Sequence, residues 1–155
     1  MADVGEVLSR IETGEVHQKK QEERMEKVFE FLKKAGTWYL ATVDDAGEPH
    51  VRPFGAQNIF EGKLYIQTGL KKNVAKQMLA HPKVAISGMA DGKWIRLNAE
   101  AVLDERAEAQ QAMLDANPML KKMYAVGDGN TAVFYLKNAT AVFCSFTEEP
   151  ETITF

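Results

Sequence analysis

The stretch that decides the fold is LYIQTGLKKNVAKQM, which spans residues 64–78. Leu64–Thr68 is typical of a β-strand that ends in a hydroxyl, Gly69 permits a turn, and the remainder predicts a helix that opens with lysines and an asparagine. Free N–H groups at the start of a helix, a nearby threonine and lysine charge together suit a phosphate-like anion. An ordinary solvated helix start, whose lysines only keep the chain soluble, would show the same pattern.

A second segment, one strand upstream, complements this anion site. The run HVRPFG over residues 50–55 would supply a flat wall with a fixed cation, Arg52. Pro53 within a strand indicates an edge, a bulge or a position whose N–H the sheet does not use, and there the backbone is free to bond a ligand. A phosphate clamp beside such a wall suits a nucleotide-like cofactor with a planar ring.

Short apolar segments separated by turns predict much of the remaining chain as strands. The predicted strands cover residues 38–43, 48–59, 64–68, 83–89 and 93–103, and a closing hairpin joins 131–136 to 139–146. Helices are predicted over 25–35, 71–80 and 104–116, the last of them capped by Asp104. Six or seven antiparallel strands with inserted helices predict a mainly β fold, a small barrel rather than a doubly wound sheet.

The chain divides into three parts by composition. Residues 1–24 are polar and charged and predict an extension that is helical or flexible. Residues 25–146 carry the compact pattern of one domain, and residues 147–155 form an acidic tail. A chain of 155 residues is long enough to bury a core without disulfides or metal.

Composition and charge narrow the classes of function. With 45% hydrophobic and 26% charged residues the sequence is that of an ordinary globular protein, and its net charge of −3 argues against nucleic acid as a partner. The sequence has neither an apolar signal-peptide run nor a stretch near ~18 uninterrupted apolar residues. We therefore expect a cytoplasmic protein without a membrane partner.

Metal chemistry is not expected either. Cys144 is the only cysteine, which excludes an internal disulfide and a thiolate metal site, and its apolar neighbours predict a buried, unreactive thiol. His17, His50 and His81 fall in unrelated segments without the spacing of metal ligands.

Several short motifs, taken in their order along the chain, resemble a known family. They are YLATV at residues 39–43, PHVRP at 49–53, LYIQT at 64–68, the sequence from Lys72 to Met78, HPKV at 81–84 and WIRL at 94–97. Over about residues 25–146 this series resembles the FMN-binding split β-barrel proteins, the pyridoxamine 5'-phosphate oxidase-like superfamily. The resemblance implies a Greek-key split barrel and FMN bound at the interface of a homodimer.

The resemblance implies which residues would contact the flavin ring. Arg52, Pro53 and Phe54 would line the isoalloxazine, with the Arg52 guanidinium near its electron-accepting edge, where a cation stabilises reduced, anionic flavin. Gln67 would bond the ribityl chain or the ring. Trp94 occupies the position from which the family reaches the flavin of the partner subunit.

The resemblance also implies a phosphate clamp. Thr68 and Lys72 would hold the FMN phosphate, helped by Asn73 and by Lys71 or Lys76. Neighbouring helical positions cannot all face one phosphate, so Lys71 and Lys76 are expected to be mainly solvated.

The C-terminal end departs from the oxidase that gives the family its name. That oxidase holds its pyridoxal phosphate with a C-terminal Arg-x-His arrangement, whereas EEPETITF at residues 148–155 contains neither cation. Oxidation of pyridoxamine 5'-phosphate is therefore not expected. An FMN-dependent oxidoreductase that acts on another small-molecule substrate is the first hypothesis.

Two other functions stay open at this point. The same barrel would serve a non-enzymatic protein that stores or senses flavin or haem, with His50 as the candidate haem ligand. A cofactor-free dimer, in which the lysines are only surface charge, is the third hypothesis. The homodimer is expected because a split barrel leaves large apolar residues uncovered, including those on the strand 93–103.

Overall fold

Eight strands and three α-helices make up the part of the chain that the computed structural model describes, residues 3–155 without the side chains of residues 11 and 12. The helices are α1 (Val4–Ala35), α2 (Asn73–Ala80) and α3 (Ala107–Ala116), and a 3₁₀ helix follows over Pro118–Lys122. The strands are β1 (Trp38–Val43), β2 (Pro49–Phe54), β3 (Gln57–Phe60), β4 (Lys63–Gly69), β5 (Lys83–Ala90), β6 (Lys93–Asp104), β7 (Thr131–Cys144) and β8 (Glu151–Thr154).

The strands form one antiparallel sheet in the order β2-β1-β5-β6-β7-β4-β3, and β8 pairs with β7 outside this path. β2 and β3 are joined only by Gly55 and Ala56, yet they lie at opposite ends of the order, so the sheet curls into a barrel that is split between them. The predicted mainly β architecture with inserted helices is confirmed, with eight strands where six or seven were expected. Pro53 lies on an edge strand, as its lack of an N–H requires.

The helix predicted over residues 25–35 is the last part of a much longer α1. Met25, Val28 and Leu32 recur at helical spacing and are buried in the core, and Gly36 ends the helix at φ 74°, a value that glycine adopts without strain. Residues before Met25 continue the helix back to Val4 with mostly exposed side chains. No helix in the described part of the chain has the length and apolar composition that a membrane span needs.

Two of the predicted strand boundaries are wrong. The strand expected over residues 48–59 is interrupted at Gly55 and Ala56, because the chain there crosses from one end of the sheet to the other; a Cβ on Gly55 would lie 3.2 Å from the Gly36 carbonyl oxygen. The hairpin expected over 131–146 is instead the single strand β7, whose residues 133–144 pair with β6. A register shift between Asn98 and Glu100, and Asn138 at φ 51°, bend β7 without reversing it.

Asp104 does not cap α3, contrary to the sequence-based expectation. The residue before α3 is Arg106, and Asp104 still belongs to β6. Its carboxylate accepts a hydrogen bond from the Tyr65 hydroxyl at 2.8 Å and from the Arg106 guanidinium at 2.9 Å. The aspartate therefore ties α3 to the sheet from inside the fold.

The acidic C-terminal segment includes a strand that the sequence analysis did not predict. β8 pairs with residues 140–143 of β7, and Lys27 of α1 donates a hydrogen bond to Glu151 at 2.5 Å. The segment is thus held between the sheet and the first helix.

Candidate functional site

A cavity of about 520 Å³ opens beside the Gly69 loop, the name we give to Gly69–Lys72. This volume lies in the range of small-molecule and cofactor sites. Its walls come from the end of β2, the end of β4, the start of α2 and the end of α3 with the 3₁₀ helix that follows. Six of the ten predicted site residues line it: Arg52, Pro53, Phe54, Gln67, Thr68 and Lys72.

Gln67 is the most informative residue of the cavity wall. Its side chain is only 6% exposed, and neither Oε1 nor Nε2 has a hydrogen-bond partner in the described part of the chain. Buried polar groups are almost always bonded, and an unpaired one costs about 1–3 kcal/mol. Because Gln67 also lines the cavity, a ligand bound there is a candidate partner for this amide.

The anion-binding end of the cavity is the start of α2. The helix begins at Asn73, and no side chain in the described residues caps its first turn, so its N–H groups remain available. Lys72 precedes the helix in an extended conformation and lines the cavity with Thr68, which is 5% exposed. The expected helix start at residue 71 is wrong by two residues, and only Lys76 of the three lysines lies within the helix.

Arg52 is held by neutral groups of the protein. Its guanidinium donates to Thr42 Oγ1 at 2.6 Å and to Gln77 Oε1 on α2 at 3.0 Å, with longer bonds to the backbone oxygens of Leu40 and His50 at 3.3 Å. None of these acceptors carries a charge, and burial lowers the pKa of Arg52 from its usual value. A partly buried cation that has no carboxylate partner among the described residues favours an anionic or electron-rich ligand beside it.

The apolar wall of the cavity begins at Phe54. Its ring packs against Trp38, with 5.3 Å between the ring centroids, and Trp38 is in turn fixed by a hydrogen bond from its Nε1 to Gln57 Oε1 at 2.7 Å. Pro53 borders the cavity from the edge strand, where one side of the backbone has no neighbouring strand. Phe54 is therefore held in place on this side of the cavity by its contact with Trp38.

Four predicted site residues do not line the cavity. Lys71, Asn73 and Lys76 have exposed side chains near the Gly69 loop and the start of α2. Trp94 lies on the outer face of the sheet, where its ring contacts that of Phe146 at a centroid distance of 5.0 Å. Their roles toward a cofactor stay predictions.

Sequence reasoning missed the wall formed by α3 and the 3₁₀ helix. It consists mainly of apolar residues: Ala116, Pro118, Met119, Leu120, Met123 and Tyr124. Met119 and Met123 are 77% and 72% exposed, which is unusual for methionine. The break at Asn117-Pro118, followed by apolar residues without core spacing, was the available signal, but only the tertiary structure brings this segment opposite β4.

The histidines and the cysteine lie outside the cavity. His50 bonds Asp44 at 2.9 Å, and ligand atoms of Asp44, Glu48 and His50 lie within 4.8 Å of one another. Because the Asp44 carboxylate already accepts two backbone N–H groups as well as the His50 ring, this group is a turn-stabilising cluster. Cys144 is partly exposed and lines a separate cavity beside α1, so the expectation of a buried thiol is only partly met.

That second cavity, about 600 Å³, lies between α1 and the C-terminal segment. Its charges are largely paired within the protein: Lys27 with Glu151 at 2.5 Å and Lys93 with Glu148 at 2.8 Å. Paired surface charges leave little for a ligand to satisfy, so the cavity beside the Gly69 loop is the stronger candidate.

The family profile described as pyridoxamine 5'-phosphate oxidase matches residues 25–145, which is more than half of the chain. The chain belongs to the pyridoxamine 5'-phosphate oxidase family. No curated protein sequence matches the chain.

Solved structures of the pyridoxamine 5'-phosphate oxidase-like fold share the architecture. A NimC/NimA family protein from Clostridium acetobutylicum is 44% identical over 90% of this chain and 97% of its own, with a TM-score of 0.86. The general stress protein 26 from Bacillus anthracis is 18% identical over 86% of this chain and 98% of its own, with a TM-score of 0.66. A haem-binding protein from Mycobacterium smegmatis is 16% identical over 86% of this chain and 57% of its own, with a TM-score of 0.63.

Proposed function

We propose that this protein binds FMN in the cavity beside the Gly69 loop and uses it as an oxidoreductase on a small organic substrate. Proteins of this family bind flavin or haem. In the proposal, Lys72, Thr68 and the start of α2 hold the phosphate. Arg52, Pro53 and Phe54 lie against the ring, and the FMN supplies the redox chemistry when bound.

The observation that carries the proposal is the unpaired amide of Gln67. Gln67 lines the cavity together with Lys72, which precedes the uncapped start of α2, and with Arg52, whose hydrogen-bond acceptors are neutral. A ligand with a phosphate, a hydroxylated chain and a polar planar ring would satisfy all three features at once. A purely apolar ligand would leave the amide unpaired at a cost of about 1–3 kcal/mol.

Within this site the protein would bind and orient, while the chemistry resides in the cofactor. Arg52 would stabilise negative charge that develops on a ring beside it, and its bonds to Thr42 and Gln77 would keep it from moving away. The wall around Met119 and Met123 would exclude water from one side of the site.

The test is a titration of the apo-protein with FMN and with riboflavin, which lacks the phosphate. Hydrogen bonds to charged groups are strong, so Lys72→Ala should weaken FMN binding about ten- to a hundredfold. Riboflavin should bind the wild type more weakly than FMN does, and Lys72→Ala should leave the riboflavin affinity unchanged. If Lys72→Ala left FMN affinity unchanged, or weakened both flavins equally, the phosphate clamp would be the wrong assignment.

Haem is the second candidate, because a structural relative is a haem-binding protein. His50 is a poor axial ligand here, since its Nε2 bonds Asp44 at 2.9 Å and it does not line the cavity. A visible spectrum of the purified protein separates the two: flavin bands support the proposal, whereas a Soret band with no flavin would replace it.

We further propose a homodimer with the cofactor near its interface. Tyr39 and Val51 are 50% and 68% exposed, and Met89 is 62% exposed. With Trp94 these residues share the outer face of β2, β1, β5 and β6, because directly paired residues point to the same side: Tyr39 opposes Ser87, and Met89 opposes Trp94. A two-fold interface would cover this face.

The burial pattern of β6 corrects the expectation that the large apolar residues of the strand 93–103 are left uncovered. Ile95, Leu97, Ala99 and Ala101 are buried in the chain's own core, so Trp94 is the large apolar residue that β6 adds to the outer face. Light scattering at micromolar concentration should give about twice the 17.3 kDa mass of one chain. A monomer that still binds flavin would contradict the dimeric site.

Pyridoxamine 5'-phosphate is not the proposed substrate. The C-terminal segment carries Glu148, Glu149 and Glu151, and β8 pairs with residues 140–143 of β7, whereas the cavity lies near Thr131 at the other end of that strand. Nine or more strand residues separate the two by roughly 30 Å. Saturable formation of the aldehyde from pyridoxamine 5'-phosphate would contradict this statement.

A further inference from the structure

The Gly69 loop is held in place by one residue that precedes β7. The backbone N–H of Leu70 donates to the Asn130 carbonyl oxygen at 2.7 Å, and the N–H of Lys71 donates to the Asn130 side-chain oxygen Oδ1 at 3.1 Å. Asn130 thus accepts two consecutive N–H groups of the loop, one with its backbone and one with its side chain.

These bonds determine which N–H groups remain for a ligand. The next N–H, that of Lys72, donates to the Gly69 carbonyl oxygen at 3.0 Å. The N–H groups of residues 70–72 are therefore committed inside the protein. The anion is left with the first turn of α2, which begins at Asn73 and has no side-chain cap, and with the Lys72 side chain.

Asn130 is itself fixed by Asp128. The Asp128 carboxylate accepts the N–H of Asn130 at 2.8 Å, that of Thr131 at 2.6 Å and that of Ala125 at 3.0 Å. These backbone bonds hold the pKa of Asp128 well below its usual value, so the carboxylate stays ionised and the turn stays formed. Asn130 is therefore a rigid support.

The glycine at position 69 permits this contact. A Cβ there would lie 3.1 and 3.2 Å from the two amide atoms of Asn130 and 3.3 Å from the Tyr124 hydroxyl. Any side chain at position 69 would push the Asn130 amide away from the Lys71 N–H. Gly69 and Asn130 are thus matched across the loop.

We propose that Asn130 is a positioning residue of the anion site. Its side chain sets the conformation of the Gly69 loop and so aims Lys72 and the start of α2 at the phosphate, without lining the cavity itself. The nature of the anion rests on the function proposed above, whereas the hold of Asn130 on the loop does not.

The binding test compares Asn130→Ala with the wild type in titrations of apo-protein with FMN and with riboflavin. The substitution removes the bond to Lys71 N–H and keeps the backbone bond to Leu70, so FMN affinity should fall about two- to tenfold. Riboflavin affinity should not change. The control is Asn138→Gly, which removes an asparagine bonded to Glu100 at a position with φ 51° that glycine tolerates; it should leave both affinities unchanged.

A second measurement tests the support without any ligand. Hydrogen exchange of the apo-protein should show faster exchange at the Lys71 amide in Asn130→Ala, and little change at the amides of β4. Unchanged Lys71 exchange, or an equal loss of FMN and riboflavin affinity, would overturn the proposal. If the wild type bound no FMN, the proposed function would fail, and the exchange result would still decide the role of Asn130.

Discussion

Tyr65 and Gln67 lie two positions apart on β4, and both are buried polar residues, yet the protein treats them differently. The Tyr65 hydroxyl donates to Asp104 at 2.8 Å, and Asp104 is in turn held by Arg106. The Gln67 amide has no partner within the described residues. The fold satisfies the Tyr65 hydroxyl, whereas it leaves unpaired the amide of Gln67, a residue that lines the cavity.

The largest expected effect is on stability, and it concerns Asp104, the hydrogen-bond partner of Tyr65. Asp104 is 9% exposed, and Asp104→Asn removes the charge shared by Arg106 and the Tyr65 hydroxyl. The free energy of unfolding should fall by about 2–3 kcal/mol, as urea denaturation measures it. FMN affinity should not change.

The control for Asp104 is Asp115→Asn. Asp115 bonds Lys121 at 2.9 Å, but both side chains are at least half exposed. An exposed pair contributes little, so the loss should stay below about 0.5 kcal/mol. If the free energy of unfolding fell equally in the two variants, burial of Asp104 would not be the reason that its ion pair with Arg106 is stabilising.

The pH dependence of stability should report the protonation of the same carboxylate, that of Asp104. Hydrogen bonds from Arg106 lower the pKa of Asp104 to about 2, while burial and the hydrogen bond to Asp104 raise the pKa of Tyr65 to about 12. Because the Asp104 pKa is lower in the folded than in the unfolded chain, its stabilisation is complete above its usual pKa of 3.8 and is lost as the pH falls toward 2. The loss is about 2 kcal/mol.

Denaturation of the wild type and of Asp104→Asn at pH 6, 4, 3 and 2 measures this effect. The difference between the two proteins should shrink as the pH falls, since protonation makes the carboxyl neutral as the amide is. A difference that stayed constant to pH 2 would contradict the assigned role of Asp104.

Gln67→Leu tests whether the unpaired amide of Gln67 serves ligand binding. The substitution keeps the approximate size of the side chain and removes an unpaired amide, so the apo-protein should be as stable as the wild type or up to about 1 kcal/mol more stable. FMN affinity should fall about tenfold. A less stable apo-protein with unchanged FMN affinity would show that Gln67 serves the fold.

Thr68→Ala should have the smallest effect of these. Its hydroxyl is a neutral donor beside the phosphate site, and the helix-start N–H groups remain, so FMN affinity should fall about tenfold or less. Riboflavin affinity should stay the same in a parallel titration. A larger loss than that of Lys72→Ala would reverse the proposed order of the two contacts.

Local patterns predicted the elements that depend on nearby residues. The strands β1 and β4, the end of α1 at Gly36 and the edge position of Pro53 all follow from backbone preferences that act over a few residues. The same local patterns failed at β7 and at Asp104. A bulge and a turn look alike in sequence, and a carboxylate before a helix looks like a cap until its long-range partners are known.

The candidate site also contains residues that the sequence predicted and residues that it did not. Arg52, Phe54, Gln67, Thr68 and Lys72 were predicted from the family-like motifs, and the structure brings them to one cavity. The wall from Asn117 to Tyr124 was not predicted, because its contact with β4 crosses about fifty residues of chain and follows from packing alone.

The sequence by itself determined the β-rich architecture, the Gly69 turn and the presence of lysines before a helix, because these depend on side-chain chemistry at fixed local spacing. Tertiary structure alone decided that the Gln67 amide has no partner in the described residues while the Tyr65 hydroxyl has one. It also decided that Asn130 accepts the N–H groups of Leu70 and Lys71. Hydrogen-bond satisfaction of a buried group depends on which distant segments reach it, and that is set by the packing of the whole sheet.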